Sequence, residues 1–78
     1  MRNKYEYSDT GRVIVFDDNG QPFNETDKVE VHMVNGSVYK TQMFQVYETP
    51  SHEFFLEFVD KDGNTFEENV KNIEKVCR

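Results

Sequence analysis

"KVEVHMVNGSVYKTQMFQVYE" (Lys28 to Glu48) decides the fold. Val29, Val31 and Met33 alternate with Glu30 and His32, the period-two pattern of a strand with one face turned to a core. Asn35-Gly36 then marks a hairpin. A two-residue loop would set Val31 opposite Lys40 and Val29 opposite Gln42, apolar against polar. A three-residue loop, Val34-Asn35-Gly36 with Gly36 left-handed, sets Val31 opposite Tyr39 and Val29 opposite Thr41, on the side of Met43. A slip of one residue turns a whole face over, so the pattern selects the three-residue loop with a bulge. Ser37 to Glu48 is long for a flat strand, and its apolar parity breaks around Met43 and Phe44. A bend there lets Tyr39 and Met43 face inward before it, and Phe44 and Val46 after it. Strongly bent strands are how small barrels close.

The flanking segments read the same way. "RVIVF" (Arg12 to Phe16) is a short buried-type strand, followed by the turn-rich "DDNGQP". "EFFLEFVD" (Glu53 to Asp60) sets Phe54, Leu56 and Phe58 on one face and Phe55, Glu57 and Val59 on the other. "KDGN" turns the chain into "TFEEN". In the tail, Val70, Ile73 and Val76 stand three apart, which fits a short helix or a single 3-10 turn at Val70 to Asn72 leading into a last strand, "IEKV". So short a helix is marginal in water, and the turn is the better reading. The expectation is an all-β, mainly antiparallel domain over residues 12–78, with residues 1–11 as an N-terminal arm or edge strand.

The stretches "VEVHMVNGSVYKTQMFQVY", "FFLEFVDKDGNTF" and "NVKNIEKV", together spanning Asp27 to Cys77, resemble a small SH3-like or Sm-like barrel of about five strands. Sm-like proteins typically form rings and bind RNA, and SH3 domains typically bind Pro-rich peptides through an aromatic groove. The acidic balance and the absence of Trp depart from those two patterns. A tiny acidic reading frame containing Asn, Lys, Phe and Tyr is also similar to many small phage and prophage proteins, which implies a mobile-element origin.

With 78 residues the chain has room for one domain, and its seven Phe and four Tyr must supply much of a modest core. The initiator Met and the lack of a linker read as a complete small open reading frame. The formal charge of −6 argues against nucleic acid or an anionic membrane as partner. Between Glu48 and Glu68, seven acids stand against Lys61 alone, the pattern of a solvated acidic face. Cys77 is the one cysteine, which suits a reducing, cytoplasmic setting. There is no apolar run of membrane-spanning length and no signal-peptide core.

"DKDGNTFEENVK" invites comparison with a calcium loop. Counted from Asp60, Gly63 falls at position 4, Thr65 at 6, and Lys71 stands where the closing bidentate Glu belongs. A hairpin turn explains every residue instead. His32, His52 and Cys77 are single and far apart in sequence, short of the four ligands of a structural zinc site, so neither metal nor cofactor is expected. No nucleophile, base and stabiliser come together, and the chain reads as no enzyme.

What is left is binding. If Phe54, Leu56 and Phe58 face the core, Phe55 and Val59 face outward. Either they pack under an arm carrying Tyr5 and Tyr7, or they form an apolar patch rimmed by Glu53, Glu57 and Asp60 for a protein partner. The expected function is a non-enzymatic binding or adaptor module working through protein contacts, with a free sheet edge as a route to a homodimer. One alternative is an acidic mimic of nucleic acid that inhibits a host nuclease or polymerase. The other is a nucleic-acid-binding barrel in which Lys28, Lys40 and Arg12 converge near Tyr39 or Tyr47.

Overall fold

The computed structural model describes the backbone of residues 1–78 and every side chain except those of Met43 and Phe44. The expected orientations of those two side chains therefore lie outside the described residues. Seven strands follow in chain order: β1 (Tyr5–Tyr7), β2 (Val13–Val15), β3 (Lys28–Met33), β4 (Val38–Glu48), β5 (Phe54–Val59), β6 (Thr65–Asn69) and β7 (Ile73–Cys77). A 3-10 turn over Val70–Asn72 joins β6 to β7, and Asn69 caps it by accepting the Lys71 N–H at 3.0 Å. Every strand pairing is antiparallel. No helix is long and apolar enough to cross a membrane.

β4 organises the sheet. One edge meets β3 and then, at Val46, β2; the other edge meets β5, which pairs β6. The β3–β4 hairpin has Val31 opposite Tyr39 and Val29 opposite Thr41, and Gly36 takes φ +93°, as the alternation requires. Register shifts between Met43 and Gln45, where the sequence pattern loses its parity. β7 pairs the far side of β3, with Val31 opposite Val76.

The all-β antiparallel expectation holds, but the sheet is an open half-barrel of seven strands where a barrel of about five was expected. The N-terminal segment adds to the strand count and takes the outer edge of β7. The Arg2 N–H bonds the Glu74 carbonyl at 2.8 Å, and the buried Asn3 side chain holds both backbone groups of Val76. Residues 1–3 thus occupy the edge of β7, and β1 continues them onto β2 with Tyr5 opposite Val15. An edge taken in this way cannot pair with β6.

The concave side holds the core: Val15, Phe23, Val29, Val31, Val46, Leu56, Phe58, Val70, Ile73 and Val76. Leu56, Ile73, Val15 and Val31 are fully buried. Each comes from a different strand, so the interior ties β2, β3, β5 and β7 together by apolar burial. The C-terminus is pinned separately. Arg78 pairs with Asp17 and Asp27, donates to the Pro22 carbonyl at 2.9 Å, and lies 4.4 Å over the Phe23 ring.

Candidate functional site

β6 pairs β5 on one side and, among the described residues, no strand on the other. Its N–H and C=O groups on that side form a template for another extended chain. On the concave side, Phe66 stacks on the buried Phe58 with ring centroids 5.8 Å apart. Tyr39 reaches the same ring from β4 at 6.2 Å. Phe66 and Tyr39 remain 48% and 50% exposed, so half of each ring faces solvent at the open rim of the sheet.

On the convex side, Glu57 of β5 stands directly opposite Glu67 of β6. Like charges in that position repel. Two donors moderate the pair: the Tyr47 hydroxyl donates to the Glu67 carboxylate, and Gln45 Nε2 donates to the Glu57 carboxylate at 3.3 Å. The hydrogen bond to Glu67, then desolvation and the charges of Glu67 and Glu57, push the Tyr47 pKa up to about 12. Phe55 packs against Tyr47 at 5.8 Å on this same side, and Val59 lies further along it, half-buried.

Of the residues singled out from sequence, Phe55, Glu57 and Val59 therefore share the convex face beside the β6 edge. Tyr5 and Tyr7 do not join them. Both pack on Phe54, at 5.2 and 6.2 Å, because side chains alternate along β5 and the arm lies on the face opposite Phe55. The Tyr7 hydroxyl donates to the Glu48 carboxylate, and that bond raises its pKa. Phe66 escaped sequence reasoning as a site residue, and Tyr39 entered it only as a stacking ring in the nucleic-acid alternative. The signal was there in the hairpin: a turn at "KDGN" sets Phe66 opposite Phe58, on a strand that ends its hairpin without a further partner.

The acidic turns bind themselves. Asp60 Oδ1 accepts the N–H groups of Asp62 at 2.9 Å and Asn64 at 2.8 Å. Desolvation pulls its pKa upward, but the Asn64 and Asp62 bonds outweigh that and hold it low. Asp17 does the same with Asn19 and Gln21. His52 sits in a turn at φ +64°, its side chain largely exposed, 3.5 Å from Glu48. His32 and Cys77 are not far apart, as their separation in sequence implied. The β3–β7 pairing brings them together with Glu30, the three ligand atoms lying within 4.8 Å of one another.

A groove of about 630 Å³ is lined by the cations Lys28, Lys40, Lys61 and Arg78 and by the carboxylates Glu30 and Asp60. Among the described residues, none of the three lysines makes a salt bridge. Arg12 lies in a second groove with its ion-pair partner Glu25, so it does not converge with Lys28 and Lys40. Comparison with family models, curated proteins and solved structures gave no match to this chain.

Proposed function

We propose that the chain is a non-enzymatic protein-binding module that takes an extended segment of a partner protein along β6. The observation that carries this reading is the contrast between the two ends of the sheet: residues 1–3 cover β7, while β6 stays open beside the half-exposed Phe66 ring. The pairing order β7–β3–β4–β5–β6, with a 3-10 turn before the last strand, supports an SH3-like or Sm-like arrangement extended by the N-terminal hairpin.

The two sides of β6 specify the ligand. Residues of an added strand would alternate between the concave and convex sides. Those beside Phe66 should be apolar or aromatic, and those beside Glu67 should be Lys or Arg. A second copy of the chain is the poorer occupant, since antiparallel pairing of two β6 edges brings their Glu67 and Glu68 carboxylates together.

Selection from a displayed peptide library, followed by amide chemical-shift mapping, tests the proposal. Selected peptides should alternate apolar and basic residues, shift the amides of Thr65–Asn69, and lose binding to Phe66→Lys. Shifts confined to another face would overturn it.

The three lysines of the groove, set against Glu30 and Asp60 in the same lining, support a second and weaker reading, binding of a single-stranded nucleic acid through its phosphates. That reading requires an oligonucleotide affinity that falls steeply with salt and is reduced in Lys28→Glu and Lys40→Glu but not in Phe66→Lys.

A further inference from the structure

We infer that Glu30, His32 and Cys77 form a binding site for one divalent transition-metal ion of the zinc class on the outer face of the β3–β7 pair. This site lies away from β6 and does not depend on the peptide-binding reading. It is built by register. Glu30 and His32 are two residues apart on β3, so they share a face, and Glu30 stands directly opposite Cys77 of β7. His32 reaches across the diagonal to the same point.

His32 Nε2 and Glu30 Oε1 are 3.1 Å apart, and all three ligand atoms lie within 4.8 Å of one another. In a tetrahedral zinc shell, with bonds of about 2.0–2.3 Å, ligand atoms stand about 3.3–3.8 Å apart. The observed set spans at most 4.8 Å, so closing it onto one ion requires shifts of about 1 Å at the ligand atoms, a distance that side-chain rotation supplies. The backbone of Cys77 is itself held, by pairing on one side and by the Arg78 clamp on the residue after it. All three residues are half-buried, partly shielded yet within reach of an ion from solution.

The donor set chooses the metal. A thiolate and an imidazole with one carboxylate suit zinc, cobalt or nickel and disfavour the hard cations calcium and magnesium. Glutamate and thiolate carry two negative charges against the ion's two positive ones, so the loaded site is neutral. Lys40, opposite Glu30, and Lys75, opposite His32, flank it. Binding releases the thiol proton to solvent. Three protein ligands leave the fourth position to water, the arrangement of an open site.

The test uses the full chain, reduced and stripped of metal. Titration with Co²⁺ should produce a sulfur-to-cobalt charge-transfer band, saturating at one ion per chain and abolished by Zn²⁺. Cys77→Ser should remove the band. His32→Gln and Glu30→Gln should each weaken Co²⁺ and Zn²⁺ binding by about tenfold or more. His52→Gln, a histidine outside the cluster, should leave binding unchanged. Zn²⁺ should raise the urea midpoint of the wild type but not of His32→Gln, which keeps the sulfur and the strand pairing. If Cys77→Ser fails to fold, that His32→Gln comparison decides. Absence of the band in the wild type, one ion per two chains, or equal weakening by His52→Gln and His32→Gln would each overturn the site.

Discussion

Asn3 meets Val76 as a neighbouring strand would. Its Oδ1 accepts the Val76 N–H at 2.8 Å, and its Nδ2 donates to the Val76 carbonyl at 2.8 Å. The same Nδ2 reaches the Phe16 carbonyl at 3.1 Å, so one buried side chain stitches β7 to the end of β2. Asn3→Ala leaves those backbone groups without their partner. We expect it to lower stability by about 2 kcal/mol in urea denaturation. Arg2→Ala, which removes only the exposed ion pair with Glu74, should cost less than about 0.5 kcal/mol. Equal effects would mean that Asn3 merely follows the chain.

Glu67 should trade stability against binding. Its charge opposes Glu57, and it faces the side of β6 on which a basic partner would lie. Glu57→Gln should stabilise the free domain by a few tenths of a kcal/mol, the scale of a cross-strand charge pair. It should also weaken any selected basic peptide. Glu67→Leu removes the charge that guards the edge, so sedimentation should show concentration-dependent self-association that the wild type lacks. If both variants bind peptide and sediment like the wild type, the edge is not the site.

The strands were legible because their signals are local. Alternation in "KVEVHM", the Asn35-Gly36 pair and the parity of Tyr39 fix the β3–β4 register without any distant information. The turn at Val70–Asn72 followed from three apolar residues too few to hold a helix. What escaped were the consequences of pairing between remote segments. Nothing local in "MRN" says that Asn3 will cap the edge of β7, and so nothing said that the sheet would stay open. The cluster of Glu30, His32 and Cys77 depends on the same β3–β7 pairing. Alternation along β5 is enough to set Phe55 and Glu57 on one face, whereas nothing local gives the register that packs Tyr5 and Tyr7 on Phe54 of the other.

Acid should unfold the domain partly through Asp17. The N–H of Gln21 holds its carboxylate below the usual range, desolvation opposes, and Asn19 and Arg78 add to the lowering. A depressed folded pKa adds stability that is present above the unfolded value of 3.8 and is lost as pH falls through the folded value. The wild type should lose stability as pH drops below about 4. Asp17→Asn should be less stable near neutral pH and show a flatter acid limb, read by circular dichroism at fixed urea. Arg78→Gln should flatten it only in part, because the backbone donors remain.

Alkali should act on Tyr47. In the folded chain its proton is held to about 12 by the bond to Glu67, against an ordinary 10.0. A raised folded pKa adds stability that is full below the unfolded value and lost as pH rises from about 10 to about 12. Between those limits the unfolded chain gives up its proton first, so the unfolded state gains. Tyr7, raised by Glu48, acts in the same direction. Spectrophotometric titration should show two late phenols in the wild type, Tyr47 and Tyr7, of which only that of Tyr47 returns toward 10 in Glu67→Gln. Tyr47→Phe should delete it while leaving the late shift of Tyr7. If Glu67→Gln leaves both late phenols in place, this hydrogen bond does not hold the Tyr47 side chain across β5, and the convex face is looser than the geometry indicates.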